Sequence, residues 1–141
     1  MTLAEQRLNS NHGRLVHAAR DLPAHLRECA VPGSTWTARD VLAHVLAWQE
    51  EALRRLADGQ ARSLPRDQLD EWNARARERM RDLRWDEILQ RIQAAHGELR
   101  SRLAEEPPTW FGACTYRHYT EHTRELLALA AAGTSRLSAA G

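Results

Sequence analysis

His118 and His122 stand four residues apart in CTYRHYTEHTRELLAL, Cys114 to Leu129. On a helix, residues at i and i+4 share one face with Cβ atoms roughly 5–6 Å apart, so two imidazoles there can converge on one small object. His44 lies in DVLAHVLAW, one turn after Asp40 or Val41 and one turn before Trp48, on the apolar side of its own helical pattern. Taken alone, His44 reads as a core residue whose two ring nitrogens are satisfied, one as donor and one as acceptor. Three inward histidines from two helices are harder to read as unrelated, because bundle interiors are where helical proteins build metal sites from facing side chains. Three neutral imidazoles suit a borderline divalent ion (Zn, Ni or Fe) at about 2.0–2.1 Å each, and they leave positions open for water and substrate. That is a catalytic pattern rather than a structural one. No carboxylate stands out as a fourth ligand, since Glu121 falls one residue off the face of the pair. His12, His17, His25 and His96 read as surface or half-buried residues.

The neighbours of these histidines suggest what the ion would do. A bound divalent ion lowers the pKa of water or of a thiol and presents it as a nucleophile, here towards a small electrophile. Trp48 and Tyr116 are candidate walls of the substrate pocket, and Trp72 and Asn73 candidates for its mouth. Tyr119 is the candidate catalytic residue, a hydrogen-bond donor to developing negative charge. Plain core packing is the competing reading for Trp48, and a buried hydroxyl with a structural partner is the one for Tyr119. Cys114, one turn before His118, is either a soft fourth ligand, a reactive thiol or a small buried residue. Trp110 and Phe111 are expected to cap the bundle end.

The elements that must position these residues are helices. Apolar residues at Leu8, Leu15, Ala19, Leu22 and Leu26 trace one amphipathic stripe, interrupted at Pro23. Thr37 followed by Asp40 predicts a capped start for a second helix, which runs to about Asp58 and closes at Gly59. A polar segment, RDQLDEWNARARERMRD, carries only the thin stripe Leu69, Trp72, Ala76 and Met80. Trp85 restarts a stronger helix through Ile88, Ile92, Ala95, Leu99 and Leu103. EEPPTWFGA (105–113) reads as a break, and the last helix is expected from about Thr115 to Ala132, closed by Gly133. Strand patterns are nearly absent. An all-α four-helix bundle over residues 1–133, with a frayed, flexible tail at 134–141, is the expected architecture.

Composition narrows the function. The 20 Lys+Arg against 19 Asp+Glu leave a formal net charge of +1, which reads against a dedicated nucleic-acid surface. The arginines at 75, 77, 79, 81 and 84 interleave with Glu71, Glu78, Asp82, Asp86 and Glu87, as on a solvated, ion-paired face. Two cysteines without disulfide or metal spacing fit a reduced, cytoplasmic protein. No apolar run reaches the ~18–20 residues of a membrane span, and no signal-peptide core is present. Alternatives to an enzyme are a module that sequesters a toxic ligand and a structural interaction domain.

WTARDVLAHVLAWQE followed much later by TYRHYTEHTRELLAL resembles the DinB/YfiT-like superfamily of metal-binding four-helix bundles. The group that includes the ClbS/DfsB self-resistance proteins is the most similar, and DEWNARARE (Asp70–Glu78) carries a Trp-Asn pair like that group's. The resemblance implies a bundle with one long crossover and an extra short helix, and a tendency to homodimers. It places the family's metal-binding histidines at His44, His118 and His122. It also implies a thiol-dependent transferase, isomerase or hydrolase working with a low-molecular-weight thiol such as mycothiol, bacillithiol or glutathione. The members that open an electrophilic cyclopropane lack a histidine equivalent to His44, so their specific reaction does not carry over.

Overall fold

The structure, a computed structural model, describes residues 1–59 and 64–140, with side chains to Thr134. Six α-helices follow in order: α1 (Leu3–Asp21), α2 (Ala38–Asp58), α3 (Arg66–Arg79), α4 (Trp85–Ser101), α5 (Thr109–Cys114) and α6 (Tyr116–Ala140). A single 3₁₀ turn spans Ala24–Leu26 after α1. α1 packs on α6 and α4, and α2 packs on the same two helices. α1 and α2 therefore stand at diagonal corners, and the 22–37 connection crosses one end of the bundle. α3 is the extra helix and lies against α2. No described helix is long and apolar enough to cross a membrane.

Local chemistry sets the helix limits. At the start of α2, Thr37 Oγ1 accepts from the Asp40 amide at 3.1 Å while Asp40 Oδ2 accepts from the Thr37 amide at 3.1 Å, a reciprocal cap contributing about 1 kcal/mol. Gly59 ends α2 in the left-handed region at φ 66°, a conformation that glycine adopts without penalty. The core is aliphatic. Leu42, Leu46, Ile88, Ile92, Leu99 and Leu126 are essentially inaccessible, and each contributes about 1.5–3 kcal/mol on burial. α3 buries only Ala76 and is held chiefly at its C-terminal end. There the Arg39 guanidinium donates to the carbonyls of Met80, Arg81 and Leu83 at 3.3, 2.7 and 2.8 Å, which neutralises the negative end of the helix dipole.

Two expectations change. The segment with two prolines does not merely break the chain; Pro108 is the N-cap of the short helix α5, a position where a missing amide hydrogen costs nothing. Gly133 does not close α6, whose backbone stays helical to Ala140. Its role is close packing. A Cβ there would meet Leu26 Cδ1 at 2.6 Å, so the absent side chain lets α6 approach the 3₁₀ turn.

Candidate metal centre

His44 on α2 and His118 and His122 on α6 bring their Nε2 atoms together. The His118 Nε2 lies 2.9 Å from that of His44 and 2.9 Å from that of His122. His122 is buried, and the other two rings are half-buried. Burial, and then the neighbouring His122, pushes His44 down to about 3. Burial, with His122 and His44 beside it, carries His118 well below the usual imidazole range. Neutral imidazoles with available lone pairs result.

A proton count tests whether these rings fit an ion. The Nδ1 of His122 lies 2.6 Å from Glu125 Oε1; the carboxylate accepts, so Nδ1 carries the proton and a neutral His122 presents a bare lone pair at Nε2. One N–H on His118 cannot serve both 2.9 Å contacts at full strength. With three neutral rings, only one arrangement avoids facing lone pairs or facing protons: a single His118 N–H shared between the Nε2 atoms of His44 and His122. The Nδ1 atoms of His44 and His118 find no partner among the described residues either. A cation at the point of convergence would satisfy all three Nε2 atoms at once, and the set could hold a metal ion. Glu125 is then the outer carboxylate that fixes the His122 tautomer. His122 also falls in a set with Glu121 and Glu125, but Glu121 is exposed and Glu125 Oε1 already accepts from His122.

The other expected site residues divide. Trp48 lines a cavity of about 450 Å³ with His44, His118, Arg55, Trp110 and Cys114. Its indole N–H donates to Asn73 Oδ1 at 3.0 Å, and Trp72 packs against it at a 37° tilt, ring centroids 4.2 Å apart. Asn73 borders this cavity, a larger cleft of about 690 Å³ and a smaller one of about 200 Å³. Trp72 thus supports the wall rather than forming it. Tyr116 lies elsewhere: its backbone carbonyl accepts from Asn11 at 3.0 Å, and its ring packs where a Cβ on Gly112 would stand, facing α1. Tyr119 is fully buried, and its hydroxyl oxygen accepts from Gln49 Nε2 at 2.9 Å. One helical step of about 100° past His118 turns it into the core, so it does not reach the cavity. Burial raises the Cys114 thiol to about 11, which keeps it protonated in the cavity wall.

Three features escaped the sequence. Arg55 and Glu51 form an ion pair on the buried side of α2, although charged residues at a helix end ordinarily signal solvent. Glu125, one turn beyond His122, was legible only once His122 was placed. His12 and His96 stack face to face, ring centroids 3.8 Å apart, between α1 and α4. Burial first, and then His96, takes His12 down to about 4; burial also lowers His96. A lowered folded pKa means that the unfolded chain binds protons first. Stability is therefore complete above about pH 6.5 and falls as the pH drops towards 4. Urea titrations at pH 7 and pH 5 are expected to show a smaller acid loss for His12→Gln than for the parent; equal losses would place the acid sensitivity elsewhere.

These features define a class: a helical bundle with a trihistidine centre at the edge of its core. The DinB superfamily model matches residues 7–133, and the chain belongs to that superfamily. Comparison with curated proteins returns no significant match. Among solved structures, the fold is similar to an uncharacterised protein from Escherichia coli UTI89, with TM-score 0.76 and 13% identity over 92% of this chain and 91% of that one. The colibactin self-resistance protein ClbS, solved in complex with a dsDNA, gives TM-score 0.73 and 15% identity over 89% of this chain and 91% of that one. The sibling lethal factor precursor DfsB gives 0.67 and 12% over 86% and 89%. Such identities establish the shared fold. The ClbS complex overturns the exclusion of nucleic acid drawn from net charge: a chain of this fold has been solved on a duplex. Net charge sums over the whole surface, whereas a duplex is met by one face only.

Proposed function

We propose that this chain is a cytoplasmic metal-dependent enzyme, a thiol-dependent transferase or a hydrolase acting on a small electrophile in detoxification or self-resistance. The observation that carries the reading is the convergence of three Nε2 atoms that, as neutral rings, have one shared N–H between two 2.9 Å contacts. When bound, a divalent ion supplies a water or thiol of lowered pKa. His44, His118 and His122 hold it, and Glu125 keeps the Nδ1 proton of His122 in place. Trp48 and Trp110 wall the cavity and limit water around the reacting molecule. Asn73, its carbonyl held by the Trp48 indole, has an amide NH₂ left to donate to the substrate at the mouth.

The test is a panel of electrophiles assayed for hydrolysis and for conjugation with glutathione, mycothiol or bacillithiol, with and without chelator. Product formation that needs the metal is expected. Turnover that survives chelation would remove the ion from catalysis, and tight binding of a ligand without product would favour a sequestering role. The reading includes a homodimer, with Leu3 and Leu127 among the exposed apolar residues available to a partner. Sedimentation showing only a 16.1 kDa species at micromolar concentration would end that part of it.

A further inference from the structure

The metal reading leaves one buried charge without a role. Arg55 is 3% exposed and follows His44 on α2 by eleven residues, about three turns, so both stand on one face with Cα atoms about 16 Å apart along the axis. A helical side chain leans towards the N-terminus of its helix, here towards the histidines. The guanidinium sits 5.9 Å from the Trp48 ring centre and 5.4 Å from that of Trp110. It lines the same 450 Å³ cavity as His44 and His118.

Its partner is shared. Arg55 Nε donates to Glu51 Oε2 at 2.8 Å, but Arg54 already binds both Glu51 oxygens, at 2.9 and 2.7 Å. Burial pulls the Glu51 pKa up, and the hydrogen bonds and charges of the two arginines outweigh it, holding it below the usual carboxylate range. One ionised carboxylate thus faces two guanidinium groups. Arg54 has Asp58 as a second partner; neither Nη of Arg55 bonds to a described residue. A guanidinium offers five donors in a planar fork, and among the described residues only Nε finds an acceptor. The other charged group on the cavity wall, Glu121, is exposed at the rim.

We propose that Arg55 anchors a carboxylate of the small molecule that enters this cavity. The ligand then has an apolar body lying between Trp48 and Trp110, its anionic end on the Nη fork and its other end at the histidines, on the order of 10 Å away. The inference rests on the small-molecule reading of the site above, but not on catalysis.

The probes are 4-phenylbutyrate and 4-phenyl-1-butanol, which differ only at the terminal group, titrated into the full chain by calorimetry. The wild-type protein is expected to prefer the carboxylate by about tenfold or more, with and without chelator. Arg55→Gln is expected to bind both probes equally, and Arg55→Lys, which keeps the charge and loses the fork, to fall between. Glu51 stays paired with Arg54 in both variants, and thermal melts confirm that they fold. Equal binding of the two probes by the wild type, or no binding of either, would overturn the proposal. So would a preference that survives Arg55→Gln and vanishes on chelation, since the ion would then be holding the carboxylate. A carboxylate preference intact in protein without metal-dependent turnover would sink the enzymatic reading and leave this one standing.

Discussion

His122→Ala protein is expected to lose its bound ion and its turnover while keeping its helices. Native protein purified without chelator should carry about one equivalent of divalent metal; the variant should carry less than about a tenth of that. Two effects add. One of three ligand nitrogens disappears, and Glu125 loses the N–H to which it is bonded, so the outer carboxylate no longer orients anything. Turnover should fall by at least about a hundredfold, since any ion that remains is held by two rings. Circular dichroism should barely change, because the aliphatic layer of α2, α4 and α6 is built without the histidines. Glu125→Gln provides the graded control, with metal affinity down by roughly 10–100-fold and the three ligands intact. Metal content unchanged in His122→Ala would show that the three rings do not form the binding site.

Gln49→Ala is expected to do the opposite: it should cost stability and spare the site. Gln49 is fully buried and ties α2 to both neighbours, donating to the Ile92 carbonyl at 3.2 Å and to the Tyr119 hydroxyl at 2.9 Å. Truncation leaves a cavity and a buried hydroxyl without its partner, together about 2–4 kcal/mol. Tyr119→Phe removes the other end of the same bond and should cost about 1–3 kcal/mol. Urea unfolding measures both losses, and metal content and turnover per folded molecule should stay within about twofold of the parent. A Tyr119→Phe protein as stable as the parent but inactive would return that hydroxyl to a catalytic role.

The sequence by itself determined the main helices and where the candidate ligands lie along them. Periodicity of apolar residues, the Thr37–Asp40 cap and Gly59 are local signals, read within a few residues of where they act, and each marks the limit it was expected to mark. The i,i+4 pair of histidines is local too, because one helix turn sets the spacing of His118 and His122 whatever surrounds them. Tertiary structure decided the rest. Which residues share the cavity depends on how α2, α5 and α6 rotate against each other, and no local signal reports that rotation. Tyr116 and Tyr119 flank His118 in sequence yet face α1 and the core, since steps of about 100° per residue send near neighbours to different sides of a helix. Arg55 on α2 meets Trp110 and Cys114 on α5 only through packing. Gly133 shows the same limit at a single position: glycine at a helix end and glycine under a neighbouring leucine are the same letter, and only the approach of Leu26 tells them apart.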